Sequence, residues 1–319
     1  MQIMDTSRIP HNPPISHLLL GGGGLSGFEM LGVLHGLQWR GQAAAIRHVS
    51  SISIGTYFGA FFMMDVDAMV ACRLLINCLT KKDALHISPL AIFKLPYTYH
   101  LVNIAPFMEP LRTAMRTKWP DVLEPESMTL ADFCSRCHRD WSIIMTDLAA
   151  SRPVVAAGSS SEFSDVAVLD LVAASMALPF ILRPVCIKGV NYVDGGLTCD
   201  NPWIAFQGRE PPLAKDVLQV VIAKQAREGV VRGAGKPHTV ASNIGHFIQQ
   251  LMECGMWHKS AFMMHGTAHV IRLREPVMPL LPLRITKQGL WIDITPEKIE
   301  AALMHGLDLF EAWYLDLLV

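Results

Sequence analysis

The chain has 319 residues, of which 51% are hydrophobic and 17% charged, with a net charge of -1 and a pI of about 6.9. That length admits one large α/β domain or two smaller ones with a sizeable core, and the balanced charge excludes a bulk basic field for nucleic acid. The mean hydropathy of +0.30 points either to a very large core or to a surface that meets something apolar.

Residues 1–16 carry three prolines and little periodicity, and read as a poorly ordered arm. They lack the basic-then-apolar pattern of a signal peptide. The longest apolar region, Ile54 to Leu79, is interrupted by Asp65, Asp67 and Arg73 and makes a poor membrane span. Seven cysteines without a secretory signal suggest reduced thiols, and the expected location is cytoplasmic. The run Cys134-Ser135-Arg136-Cys137-His138 has haem-attachment spacing, but it lies in a polar helical segment and reads as two incidental thiols.

His17 to Leu20 reads as a short buried strand ending in four glycines, Gly21 to Gly24. From Ser26 to Trp39 the residues Phe28, Leu31, Leu34 and Leu37 recur at three-residue steps, which predicts a helix closed by Gly41. A second strand is predicted over Ile46 to Ile52, a buried helix over Ile54 to Met64, and another over about Asp67 to Thr80. Residues 86–129 mix prolines with aromatics. They read either as a lid or substrate-binding insertion or as ordinary peripheral helices. Strands follow at Trp141 to Met145 and Pro153 to Ala157, and a helix from about Val166 to Leu178 stops at Pro179. Further strands are predicted near Val185 to Ile187, Asn191 to Val193, Val217 to Ile222 and His269 to Leu273. Helices are predicted over His238 to Met256 and Pro296 to Leu317, with a solvated loop over Lys224 to His238. Strands separated by helices predict an α/β fold with a mostly parallel sheet covered on both faces. Residues 17–319 are the simplest single domain.

Three short stretches carry chemistry. Gly22-Gly23-Gly24-Leu25-Ser26-Gly27 satisfies the dinucleotide pattern Gly-x-Gly-x-x-Gly between a strand and a helix. The acid that would hold a ribose about 20 residues on is absent, because the second strand ends in Arg47-His48-Val49-Ser50-Ser51. The same glycines can point main-chain N–H groups into an oxyanion hole. Ser53 follows the second strand in a serine elbow whose second glycine is Gly55 and whose first is replaced by Ser51. If the strands at 17–20 and 46–52 are neighbours, Ser53 stands beside the glycine amides, which is a minimal acyl-transfer site. Downstream, Asp194-Gly195-Gly196 leaves a strand, and read by itself it is a turn.

In that order, GGGGLSG at 21–27, SSISIG at 50–55 and DGG at 194–196 resemble the patatin-like phospholipase family. ASMALPFILRPV at 174–185 is similar to the segment preceding the family's acid, and MTDLAASRPVVAAG at 145–158 to its hairpin-like central strands. The resemblance implies a three-layer α/β/α fold and a lipid acyl hydrolase of phospholipase A or lysophospholipase type, with Ser53 as nucleophile and Asp194 as base. It assigns Gly22, Gly23 and Gly24 to the oxyanion hole, and the chemistry it implies needs no metal or organic cofactor. It also implies a lipid substrate and, with the proline-aromatic stretch at 88–107, a peripheral membrane surface. Ser26 stands where a basic residue is usual and Ser51 where a glycine is. Those departures keep open a weakly catalytic lipid-binding scaffold, with a triacylglycerol lipase as a further alternative. No histidine is expected to be the base: His48 lies within the strand leading to the elbow, and His258, His265, His269 and His305 sit in no recognisable loop motif.

Overall fold

The computed structural model describes residues 15–79, 86–87, 89–160, 162–199, 201–222, 269–273, 283–286, 289–292 and 294–316. The first strand, β1 (His17–Leu20), lies in the middle of an eight-stranded sheet. It pairs in parallel with β2 (His48–Ile52) on one side and β8 (Val217–Ile222) on the other, and β8 pairs in parallel with β9 (His269–Leu273). Beyond β2 comes β4 (Asp140–Asp147), also parallel. There the direction changes, with β5 (Arg152–Ala157) and β7 (Val190–Asp194) both antiparallel to β4, and β6 (Val185–Ile187) antiparallel to β7. The sheet is therefore parallel through its centre and antiparallel at one end. The hairpin-like strands anticipated at 145–158 are β4 and β5.

The register on β4 decides where the site forms. One edge of β4 is taken by β5, from Ser142↔Ala157 to Asp147↔Arg152. The other edge is shared: β2 covers it up to Ile52↔Ile144, and β7 covers the next residues, with Asp194 opposite Met145. One strand runs up that edge and the other down it, so their ends meet. Ser53 is the first residue after β2, and Asp194 is the last residue of β7.

Strand side chains alternate between the two faces. One face, with Leu18, Leu20, Val49, Ile143, Met145, Leu218 and Val220, belongs to the main core. Against it pack α2 (Ile54–Met63), α7 (Val168–Met176) and α8 (Pro296–Asp316), and the same core takes in α1 (Met30–Trp39), α3 (Ala68–Leu79) and α5 (Ala105–Lys118), which pack on other helices. Every residue of α2 is buried, as its unbroken apolar run requires. The first helix begins later than its periodicity predicts, because Gly24–Glu29 forms a 3-10 turn ahead of Met30. The second strand starts at His48 rather than Ile46, since Gln42–Ala45 is another 3-10 turn.

The opposite face carries Leu19, Ile52, Ile144 and Val217 among polar side chains. Ser50 donates to Pro202 O, and Gln219 Nε2 donates to Asn201 Oδ1. Among the described residues, Gly195–Cys199 and Asn201–Phe206 lie against this face, the latter through a 3-10 turn at Pro202–Phe206. The helix predicted at 238–256 and the loop at 224–238 lie outside the described residues.

The stretch from 86 to 129 forms β3 (His86–Ile87), α4 (Pro89–Thr98) and α5. Its second half belongs to the core, with Phe107, Met108, Leu111 and Met115 buried and the Tyr57 hydroxyl donating to Phe107 O at 2.5 Å. A small antiparallel sheet of β3, β10 (Leu283–Thr286) and β11 (Gly289–Ile292) was not legible in the sequence. Leu130–Cys137 is α6, capped by the Thr129 hydroxyl accepting from the Asp132 amide. Burial pushes the Cys134 thiol up to about 12.

Candidate active site

Between β2 and α2 there is one residue, Ser53, and its backbone is left-handed with φ 55° and ψ -127°. A non-glycine residue holds such angles only when its surroundings fix them. Turning from a strand straight into a helix in one residue brings the two backbones together, which explains Gly55. A Cβ there would lie 2.5 Å from Gly21 O and 2.7 Å from Leu20 O. The N-terminus of α2 behind Ser53 also contributes positive potential.

The Ser53 hydroxyl donates to Asp194 Oδ2 at 2.6 Å. The other carboxylate oxygen, Oδ1, accepts from the Gly196 amide at 2.7 Å. Both groups are buried, Ser53 being 7% exposed and Asp194 3%. Desolvation pushes the Asp194 carboxyl up to about 6, against the opposing effect of the bonds from Ser53 and Gly196. Gly195 is required for the approach to β4, because a Cβ there would lie 2.4 Å from Ile144 O. Asp194 is further tied through its backbone: its amide donates to Ala177 O at 3.0 Å, and its carbonyl accepts from the Thr146 hydroxyl at 2.8 Å.

The glycine loop lies beside this pair. A Cβ on Gly22 would come within 3.3 Å of Ser53 Cβ. Gly23 packs against Ile222, whose Cδ1 would stand 1.7 Å from an added Cβ, and Gly24 has φ 53° at the start of the 3-10 turn. Among the described residues no backbone acceptor engages the amides of Gly22, Gly23 or Gly24.

Ser51, the residue that stands where a glycine was expected, is fully buried and accepts from Trp141 Nε1 at 2.9 Å. Room for it comes from α2, where Gly59 faces it. A buried indole N–H needs an acceptor, so the substitution supplies a partner for Trp141.

Sequence reasoning did not single out Ser175, Thr56, Thr146 or Thr198. Ser175 Oγ accepts from the Ser53 amide at 3.0 Å and lies 2.9 Å from Thr56 Oγ1. Thr146 Oγ1 lies 2.7 Å from Thr198 Oγ1 under the Asp194 carbonyl. The one signal for Ser175 was its place in the segment 174–185.

The histidines fall elsewhere. His48 is paired with Asp140 and His17 at the opposite end of the strands from Ser53. Burial, then His17 and Arg209, depress its pKa to about 4. His269 begins β9 against Trp313, and His305 on α8 sits 3.2 Å from Glu29. His258 and His265 lie outside the described residues. Among those described, no histidine bonds Ser53 or Asp194, no group of three or more His, Cys, Asp or Glu could hold a metal, and no helix is long and apolar enough to cross a membrane.

The family model for the patatin-like phospholipase matches residues 18–206, which run from β1 through the last segment beneath the site. The chain belongs to the patatin-like phospholipase family. It is 28% identical over 188 residues to a protein named lysophospholipase nte1 from Aspergillus fumigatus, and equally to one of that name from Neosartorya fischeri. The match covers 58% of this chain and 11% of the length of either relative. Among solved structures, VipD from Legionella pneumophila shares the fold with a TM-score of 0.50 at 16% identity, over 94% of this chain and 67% of that one. The nucleotide-binding alternative gives way to this family.

Proposed function

We propose that this patatin-like chain is a lipid acyl hydrolase that cleaves carboxylic esters through a Ser53–Asp194 dyad. The observation that carries the reading is the 2.6 Å bond from the Ser53 hydroxyl to a buried carboxylate, made on a strained elbow. In the reaction, Ser53 Oγ attacks the ester carbonyl while its proton passes to Asp194 Oδ2. The carbonyl oxygen becomes an oxyanion within reach of the Gly22, Gly23 and Gly24 amides. Collapse expels the alcohol, which takes the proton from Asp194 and leaves an acyl-Ser53 ester. Water then loses a proton to Asp194 and attacks that ester, releasing the fatty acid and restoring the Ser53 hydroxyl. A carboxylate raised to about 6 suits this role, because its conjugate acid still protonates a leaving alcohol while its base form dominates at neutral pH.

The substrate class we propose is a lysophospholipid or phospholipid, a reading supported by the family and by the name of the fungal relatives. We place the membrane-facing surface at α4 and the loop after α7. Leu90, Tyr97 and Tyr99 are 57%, 84% and 62% exposed, and Phe180 is 47% exposed. The two segments are held together by the bridge between His100 and Phe180 and by the amides of Leu101 and Val102 on Ile181 O. From 86 to 108 and from 171 to 191 there is no Asp or Glu, whereas Lys94 and Arg183 are exposed. Exposed aromatics with basic neighbours and no acid fit an anionic lipid surface.

The test is fluorophosphonate labelling and release of fatty acid from lysophosphatidylcholine by the wild type and Ser53→Ala. Labelling and turnover by wild type alone are expected. Turnover by Ser53→Ala at the wild-type rate would overturn the assignment.

A further inference from the structure

A nucleophile on an elbow is useful only if its peptide is held, because the left-handed angles of Ser53 relax once nothing fixes them. The group that holds the Ser53 amide is a side chain, Ser175 Oγ, at 3.0 Å. Ser175 lies on α7 and is fully buried. A hydroxyl has one proton to give, and that of Ser175 goes to Ile144 O on β4 at 2.8 Å. The 2.9 Å contact with Thr56 Oγ1 therefore runs from Thr56 to Ser175. A helical serine commonly bonds back to its own helix, but this one spans to a strand, an elbow and a second helix.

The same helix end also grips the base. Two residues beyond Ser175, Ala177 O accepts the Asp194 amide at 3.0 Å. Ile144, which takes the Ser175 proton, is the residue paired with Ile52, and the next residue on β4 is paired with Asp194. The stretch 175–177 thus holds the backbone amides of both dyad residues at once.

We infer that Ser175 is a positioning residue: its hydroxyl fixes the Ser53 peptide so that Ser53 Oγ faces Asp194 Oδ2. This rests on the reading of Ser53 as nucleophile. Removing the oxygen leaves the Ser53 amide, the Thr56 hydroxyl and the Ile144 carbonyl without this partner, and frees the elbow to turn away from the base.

The experiment uses the full chain as Ser175→Ala, Ser175→Cys and Thr56→Val. Thr56→Val removes one donor to Ser175 but leaves the Ser53 amide bonded, so it controls for simple loss of a buried hydrogen bond. Turnover of p-nitrophenyl butyrate is measured well below each melting temperature, together with hydrogen exchange of the Ser53 amide. Ser175→Ala is expected to lower kcat by about 10- to 100-fold with KM changed little, the size of effect that misplacing a reacting group produces. Its Ser53 amide is expected to exchange at least about tenfold faster, as a buried amide without its acceptor does. Ser175→Cys, whose thiol is a weak acceptor, falls between, which keeps the test open if the alanine variant does not fold. Thr56→Val keeps the amide protected and loses less kcat than Ser175→Ala. Wild-type kcat in Ser175→Ala, or equal losses in Ser175→Ala and Thr56→Val, overturns the inference. If even the wild type fails to turn over ester, the hydrolase reading fails by itself. The exchange measurement still decides this one, because unchanged protection of the Ser53 amide in Ser175→Ala refutes it.

Discussion

Asp194 should destabilise the protein that it serves. Its carboxyl rises from an ordinary 3.8 to about 6 because burial disfavours the charge. The folded chain therefore holds that proton more tightly than the unfolded chain. As pH climbs from about 4 the unfolded state ionises first, and stability falls until the folded carboxyl has also ionised, above about pH 6. At about 1.4 kcal/mol per pH unit the full loss is about 3 kcal/mol. Asp194→Asn removes the titration while keeping the shape and an oxygen for the Gly196 amide. Urea unfolding of both forms from pH 4 to pH 8 should give a stability difference in favour of Asn that grows by about 2.5 kcal/mol over that range, levelling above pH 7. The variant should lose at least about a hundredfold in turnover. His48 also titrates in this window, but it is common to both forms and cancels in the difference. A difference that stays flat with pH would show that Asp194 is not a desolvated carboxylate, and the argument for it as base would go with it.

Four other outcomes follow from the same packing. His48 is held neutral by burial down to about pH 4, so stability present above pH 6.5 should be lost towards pH 4, by up to about 3 kcal/mol; His48→Gln should flatten that acid limb in a urea titration. Gly55→Ala should abolish fluorophosphonate labelling and cost about 1–3 kcal/mol, as overpacking does, since its Cβ would meet Leu20 O and Gly21 O; wild-type labelling would contradict the elbow geometry. Gly306→Ala should loosen α8 from the core, because its Cβ would stand 1.8 Å from Glu29 O, and a melting temperature at or above the wild-type value would refute that contact. Replacing Tyr97, Tyr99 and Phe180 together by Ser should abolish cosedimentation with phosphatidylserine vesicles while sparing hydrolysis of p-nitrophenyl butyrate; unchanged vesicle binding would place the docking surface elsewhere.

A rise of Asp194 to about 6 also changes what a pH profile can decide. Activity should fall as pH drops through that value, close to where an unperturbed imidazole titrates. A pH profile alone no longer separates a carboxylate base from a histidine. Substitution does: Asp194→Asn against His269→Ala and His305→Ala, of which the histidine variants should keep most of their turnover.

What the sequence made legible was whatever local chemistry enforces. A strand running into four glycines and an elbow with Gly55 both announce close backbone approach, and both are found where the spacing put them. The strand at 190–194 and the turn after it were visible as an acid followed by glycines. Ser175 was not, because a lone hydroxyl on an apolar helix has no local signature, and its partners stand 31, 119 and 122 residues away in sequence. Ser51 read as a defect in the elbow. Its meaning depends on Trp141, a strand away, and on the space left by Gly59. The small sheet escaped because a two-residue strand such as β3 carries no period at all.

The meeting of β2 and β7 along one edge of β4 makes that strand a ruler for the spacing of Ser53 and Asp194. Ser53 and Asp194, the proposed nucleophile and base, are 141 residues apart in sequence, yet their spacing is set by consecutive rungs, Ile144 and Met145. Whatever connects the ends of β4 and β7 can lengthen, shorten or change composition without altering the Ser53–Asp194 bond, provided that both ladders keep their register and the helix end at 175–177 stays seated. A one-residue slip of β7 would move Asp194 along β4 by about 3.3 Å and turn its side chain to the other face. Insertions between 148 and 152 or at 188–189 should therefore be tolerated, whereas a single insertion within 190–194 should silence the site at once.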